Sequence, residues 1–195
     1  MRLIAVITAV ALAALGAIAS AADAEAAESY AIDPQHSNIA FLVDHQGFSR
    51  MLGQFQEFSG TFVLDKEAVE NSSVNVTIMT ASVDTDYGDR DEHLRSPDFF
   101  NAAEFPDMTF VSREVHKTGD NTAQIVGDLT LLGTTKSVTL EASFYAEGQD
   151  QFSDAYRAGF SARGTVKRSD FGMNYGIPAV GDEIALMIEI EGIRQ

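Results

Sequence analysis

The chain has 195 residues, with 13 basic against 29 acidic side chains and a net charge of −16, so phosphate-rich partners such as nucleic acid are repelled. It contains no cysteine, which excludes disulfides, thiol chemistry and thiolate metal sites. Its length suits one domain with a substantial core.

From the N-terminus, Arg2 precedes a run from Leu3 to Ala19 that is apolar apart from Thr8, and small residues follow at Ala19-Ser20-Ala21. This is the pattern of a secretory signal peptide over 1–21, cleaved on export to the periplasm to leave a mature domain over 22–195. A permanent anchor fits less well, because the run is at the lower edge of spanning length and lacks a basic stop. No later stretch is long enough to span a bilayer, so a soluble product is expected.

The rest is short alternating segments broken by turn residues, which predicts an all-β chain. Strands are expected at Asn38–Asp44 and Ser59–Leu64. Between them GFSRMLGQFQEF, residues 47–58, does not keep the alternation and looks like an apolar loop closing over an opening. Val74, Val76 and Ile78 share one face of the next strand. Residues 84–107 then break the rhythm. Ser96-Pro97 has the form of an N-cap and first helical residue, so two short helical pieces are expected at Asp89–Leu94 and Pro97–Ala102. They form an insertion around 86–102, whose Phe99 and Phe100 need burial at a barrel mouth.

Further strands follow at Met108–His116, at Gly127, Leu129 and Leu131, and at Val138, Leu140, Ala142 and Phe144. Phe160, Ala162, Gly164 and Val166 share the inner face of another. In DEIALMIEIEGI, Ile184, Leu186, Ile188 and Ile190 alternate with Ala185, Met187, Glu189 and Glu191. About eight antiparallel strands close naturally into an up-and-down barrel able to hold one ligand. A filled β-sandwich is permitted by the same pattern; the small inward residues Gly127, Ala142, Ala162 and Gly164 favour the hollow form.

The chemical candidates are weak. No two of His36, His45, His93 and His116 lie within five residues of each other, and a metal site needs three or four converging ligands. The acids around His93 read as a solvated helical turn. Ser161 sits within an expected strand and lacks the second glycine of a nucleophile elbow. Gly133-Thr134-Thr135-Lys136-Ser137 lacks phosphate-loop spacing and leads into a strand. No catalytic residue, metal or cofactor is therefore expected.

Several segments in order resemble a known family. They are Tyr30-Ala31-Ile32-Asp33-Pro34 with His36-Ser37; His45-Gln46-Gly47-Phe48-Ser49 with Gly53-Gln54-Phe55 and Phe58-Ser59-Gly60; and Arg90-Asp91-Glu92-His93-Leu94-Arg95-Ser96-Pro97-Asp98-Phe99-Phe100 with Phe105-Pro106 and Phe110. Gly127-Asp128-Leu129-Thr130-Leu131 with Gly133-Thr134-Thr135-Lys136, and Arg168-Ser169-Asp170-Phe171-Gly172-Met173, complete the set. From about Tyr30 to Gly192 the chain resembles the YceI-like family of exported, lipocalin-like polyisoprenoid-binding proteins.

The resemblance implies an eight-stranded antiparallel lipocalin-like barrel with a short helical insertion, enclosing a pocket for an isoprenoid or similar long-chain lipid. It also implies a non-enzymatic protein, a possible homodimer and an association with b561-type membrane cytochromes. In that frame Arg90, Asp91, His93 and Arg95 tie the insertion to the barrel while Leu94, Phe99 and Phe100 face the pocket. Alternatively Arg90, His93 and Arg95 hold a pyrophosphate or quinone head group. The expected lining, chosen for apolarity and position, also includes Phe41, Val43, Phe48, Phe55, Phe62, Phe110, Leu129, Phe144, Phe160 and Phe171. The expected function is a periplasmic carrier for a polyprenyl chain or isoprenoid quinone. The competing expectation is a stress-related module that docks a membrane redox partner.

Overall fold

Strict alternation makes strands of the expected segments and decides which side of each faces inward. In β11 (Val180–Arg194), Ile184, Leu186, Ile188 and Ile190 all point into the barrel. The computed structural model describes residues 27–195; the signal peptide expected over 1–21 lies outside the described residues.

The strands in chain order are β1 (Glu28–Ile32), β2 (Asn38–His45), β3 (Ser49–Phe55), β4 (Phe58–Leu64), β5 (Ser73–Met79) and β6 (Val83–Asp84). After helix α1 (Gly88–Arg95) come β7 (Asp107–Lys117), β8 (Thr122–Leu131), β9 (Thr134–Gln149), β10 (Tyr156–Lys167) and β11. Register shows that the first six are three broken staves. β1 and β2 both run antiparallel along β11, with Tyr30 opposite Arg194 and Asn38 opposite Glu189. β3 pairs with β2 and β4 with β1; β6 pairs with β3 and β5 with β4. The eight staves form an antiparallel up-and-down barrel closed by β11 against β1 and β2.

Two expectations are corrected here. Residues 49–55 are not a loop: β3 is a ladder strand along the whole inner length of β2, and tertiary pairing overrides its poor alternation. The second helical piece at Pro97–Ala102 is a set of hydrogen-bonded turns. Phe99 N–H donates to the Ser96 carbonyl, whereas Phe100 N–H reaches back to Leu94 and Ala102 N–H to Arg95, so no second helix propagates.

The small inward residues also act differently from expectation. A Cβ on Gly127 would lie 2.4 Å from the Phe110 ring, and one on Gly164 would lie 2.7 Å from Leu140. Each glycine makes room for a large side chain on the neighbouring strand, so these positions are filled by their neighbours.

Arg157 on β10 fixes the break between β1 and β2. Its Nη1 donates to Asp33 Oδ2 and to Glu191 Oε1, both at 2.7 Å, and its Nε donates to Asp150. Asp33 also accepts the Gln35 backbone N–H at 3.0 Å, and Ser37 exchanges hydrogen bonds with the Glu191 backbone. Among the described residues no helix is long and apolar enough to cross a membrane.

Candidate apolar binding site

The inner faces of the staves and the underside of the insertion enclose a cavity of ≈ 170 Å³. Every residue on its wall is apolar except Arg168. The wall draws on most of the barrel: Ile39, Phe41 and Val43 from β2, Val76 and Ile78 from β5, Leu129 from β8, Leu140 from β9, and the Ile184–Ile190 row of β11.

The insertion supplies its cap. Thr85 backbone N–H and hydroxyl both donate to the buried carboxylate of Asp91, while Arg90 Nε and Nη2 donate to the Thr85 hydroxyl and carbonyl at 2.7 Å. This knot ties α1 to the end of β6. Arg95 reaches back to the carbonyls of Ala81 and Val83 at 3.4 and 3.3 Å. With its polar groups fixed outward, the insertion points Leu94, Phe99 and Phe100 into the cavity. Phe100 meets Phe55 edge-on at 5.4 Å, and Phe55 meets Phe41 at 5.7 Å, forming a row of rings beneath the cap.

Of the expected lining, Phe41, Val43, Phe55, Leu94, Phe99, Phe100, Phe110, Leu129 and Phe160 are on this wall. Phe62 and Phe144 line a second cavity of ≈ 280 Å³ at the opposite end of the barrel, which Phe160 also borders. Phe48 stands outside both, 86% exposed at the tip of the β2–β3 hairpin. Phe171 is buried in the core behind the wall and borders neither cavity.

The three cations expected to receive a head group do not line either cavity. Arg90 and Arg95 are turned to the corner contacts above. His93 Nε2 lies 2.9 Å from Asp98 Oδ2, and the ring packs edge-on against Phe99 and Tyr175.

The charged residue that does reach the wall is Arg168, only 3% exposed, in the 3₁₀ turn Arg168–Phe171. Its Nε donates to Gly181, Nη1 to Met173 and Nη2 to Val180, all carbonyl oxygens at 2.8–2.9 Å. These bonds fasten the 173–181 segment across the barrel end, and the guanidinium sits 5.9 Å from the Phe99 ring centre. Burial pulls its pKa below the ordinary arginine value, opposed by Asp182. Sequence reasoning quoted Arg168 within a motif but assigned it no role. The available signal was the cation pair Lys167-Arg168 where an alternating strand gives way to a turn closed by Gly172.

Among the described residues a metal reading has one geometric candidate. Asp33, His36 and Glu191 bring their ligand atoms within 4.8 Å of one another, but Arg157 already bridges the two carboxylates. The cluster is a salt-bridge network with a guanidinium where a cation would sit.

A model of the YceI-like domain matches residues 30–192. The protein YceI of Escherichia coli O17:K52:H18 is 45% identical over 171 residues, covering 87% of this chain and 88% of that protein. The crystal structure of the Campylobacter jejuni YceI protein superposes with a TM-score of 0.69 at 33% identity, over 78% of this chain and 90% of its own. A polyisoprenoid binding domain from Saccharophagus degradans gives 0.66 at 14% identity over 86% and 99%, a likeness of fold alone.

Proposed function

This chain belongs to the family of YceI-like domains, and on that premise we propose that it is a periplasmic carrier that shelters an isoprenoid lipid, a polyprenyl chain or isoprenoid quinone, in the barrel. It acts as a binding protein and not as an enzyme, after export and removal of residues 1–21. The observation that carries this reading is the wall of aliphatic and aromatic side chains broken by a single cation. A neighbour of the same fold is described as polyisoprenoid binding, which supports the choice of ligand class.

The physics favours recognition of the chain over recognition of its head. Burying a methylene contributes about 0.8 kcal/mol, so ten carbons contribute roughly 8 kcal/mol against association costs of about 4–15 kcal/mol. Branched isoprenoid units suit a wall of Ile, Val and Phe because methyl groups fill the gaps that a straight chain leaves.

Arg168 supplies the polar end. Its hydrogen bonds to Gly181, Met173 and Val180 use three of the five N–H groups of a guanidinium. The other two suit a quinone carbonyl or a phosphate oxygen, and a phosphate would also add negative charge beside a guanidinium whose hydrogen bonds within the protein go to carbonyls.

The test is native mass spectrometry of the mature protein taken from its own cell envelope, followed by solvent extraction and identification of what is released. A stoichiometric long-chain isoprenoid is the expected result. An empty protein that also refuses quinones and polyprenyl phosphates overturns the reading.

A further inference from the structure

The proposed carrier function uses the cavity beneath α1, and the barrel holds a second. The second lies at the far end, where the β4–β5 connection and the β7–β8 turn meet. Its base is apolar, including Phe62, Val115, Ala142 and Phe144, and its rim is polar, including Lys66, Lys117 and Asp120. A cavity with a greasy floor and a wet rim has the polarity profile of an opening for an amphiphile.

The two cavities have three wall residues in common: Val74, Ile125 and Phe160. Val74 and Ile125 are small or branched and well buried in their strands, whereas Phe160 presents a ring between the two spaces. On β10 its inward neighbours are Ala158 and Ala162, so the strand itself leaves that ring room to turn. The ladder to β9 shifts register at Gly159/Phe160, a bulge of the kind that re-aims a side chain.

Phe62, the ring Phe160 leans on edge-to-face at 5.2 Å, is by contrast fixed, stacked on fully buried Tyr30 at 4.8 Å and 6°. Phe62 is thus held between two rings, whereas the ring contact of Phe160 is the edge-on one with Phe62.

We propose that Phe160 is a movable partition between the two cavities and sets the length of chain the barrel accepts. This rests on the lipid-carrier reading above. With the ring across the passage, a short chain fills the space beneath α1. With the ring turned aside, a longer chain continues into the second cavity and its far end approaches the rim at Lys117. Opening the passage more than doubles the space available to one ligand, given the two cavity volumes.

The experiment measures affinity of the mature full-length chain for farnesol, geranylgeraniol and solanesol, neutral prenols of rising length. Phe160→Ala is expected to raise the solanesol-to-farnesol affinity ratio about tenfold, equivalent to burying roughly two further methylenes. Ala123→Phe fills the second cavity from its own wall without touching the first, and is expected to lower the same ratio while leaving farnesol binding unchanged. Phe160→Leu keeps most of the apolar bulk and stands in if the alanine variant does not fold.

Ratios that stay at the wild-type value in folded Phe160→Ala or Phe160→Leu and in Ala123→Phe, with the wild type binding all three prenols, overturn the partition alone. A wild type that binds none of them overturns the carrier reading and the partition with it.

Discussion

Two arginines pin irregular pieces of this barrel to its strands, and their surroundings are opposite. Arg157 donates to the carboxylates of Asp33, Asp150 and Glu191 and pins the broken stave of β1 and β2 to β10 and β11. Arg168 is more deeply buried, donates to three carbonyls, and pins the 173–181 segment. Both fasten an irregular piece of chain to a regular strand end. Only Arg157 has its charge neutralised by direct partners. A purely structural pin gains most from carboxylates, so a pin left with net charge against an apolar cavity marks the place where a ligand can supply the missing negative group.

That contrast is broken most severely at Arg157. Arg157→Ala leaves Asp33 buried beside Glu191 with only the His36 imidazole as a partner that can carry positive charge, and the loss expected is about 3 kcal/mol of unfolding free energy. Urea unfolding at neutral pH measures it, and a loss below about 0.5 kcal/mol shows the network to be incidental. Isoprenoid binding by the folded fraction is expected to be unchanged, because Arg157 borders neither cavity.

The same network predicts an acid limb. Burial raises the Asp33 carboxyl, but the hydrogen bonds from Arg157, His36 and the Gln35 backbone outweigh it and hold the pKa down to about 2, against an ordinary value of 3.8. A depressed carboxylate contributes stability that is present above its unfolded value and is lost as pH falls from near 4 through about 2. The contribution expected is about 1–2 kcal/mol after solvent screening is allowed for. Denaturant titrations across that window show it as a slope, and Asp33→Asn is expected to flatten the slope.

Arg168→Met sharpens the comparison from the other side. It removes three hydrogen bonds from carbonyls but also removes a buried charge with no carboxylate partner, so the two effects oppose each other. The net loss expected is about 1 kcal/mol, smaller than at Arg157 despite deeper burial. Its larger effect falls on ligand choice. Affinity for a polyprenyl phosphate should drop at least about tenfold while affinity for the matching prenol holds. Equal losses for both ligands would show Arg168 to be a pin only.

The contrast also explains what was legible in the chain. β8, β9 and β11 are long staves with unbroken runs of alternating inner residues, so Leu129, Leu140 and the Ile184–Ile190 row could be placed from period alone. The first three staves are each broken after a few residues, at Asp33–Ser37, at Gln56-Glu57 and at Thr80–Ser82. Each break resets the alternation, and GFSRMLGQFQEF lost its strand signature because it spans one of them. Corner cations were legible as a group through the family resemblance. Which of them faces the cavity was not, since that depends on where a guanidinium finds carbonyls in three dimensions: Arg90 finds Thr85 on the outside, and Arg168 finds Met173, Val180 and Gly181 at the barrel end.

The smallest expected effect tests whether the Arg157 network extends to the surface. His36 Nδ1 lies 2.8 Å from Asp33 Oδ2, and that hydrogen bond, with the charge of Asp33 behind it, raises the imidazole pKa above its usual value. A raised histidine contributes stability that is fully present below its unfolded pKa of 6.5 and is lost as pH rises through the higher folded value. The side chain is 54% exposed, so the effect is small and is screened by salt. The wild type should therefore lose slightly more stability than His36→Gln between about pH 6 and about pH 8 at low ionic strength. In Arg157→Ala, where the imidazolium is the remaining cation beside Asp33, the difference should grow. A difference that does not change between the two backgrounds would show that His36 and Arg157 act on Asp33 independently, and would confine the network to the interior.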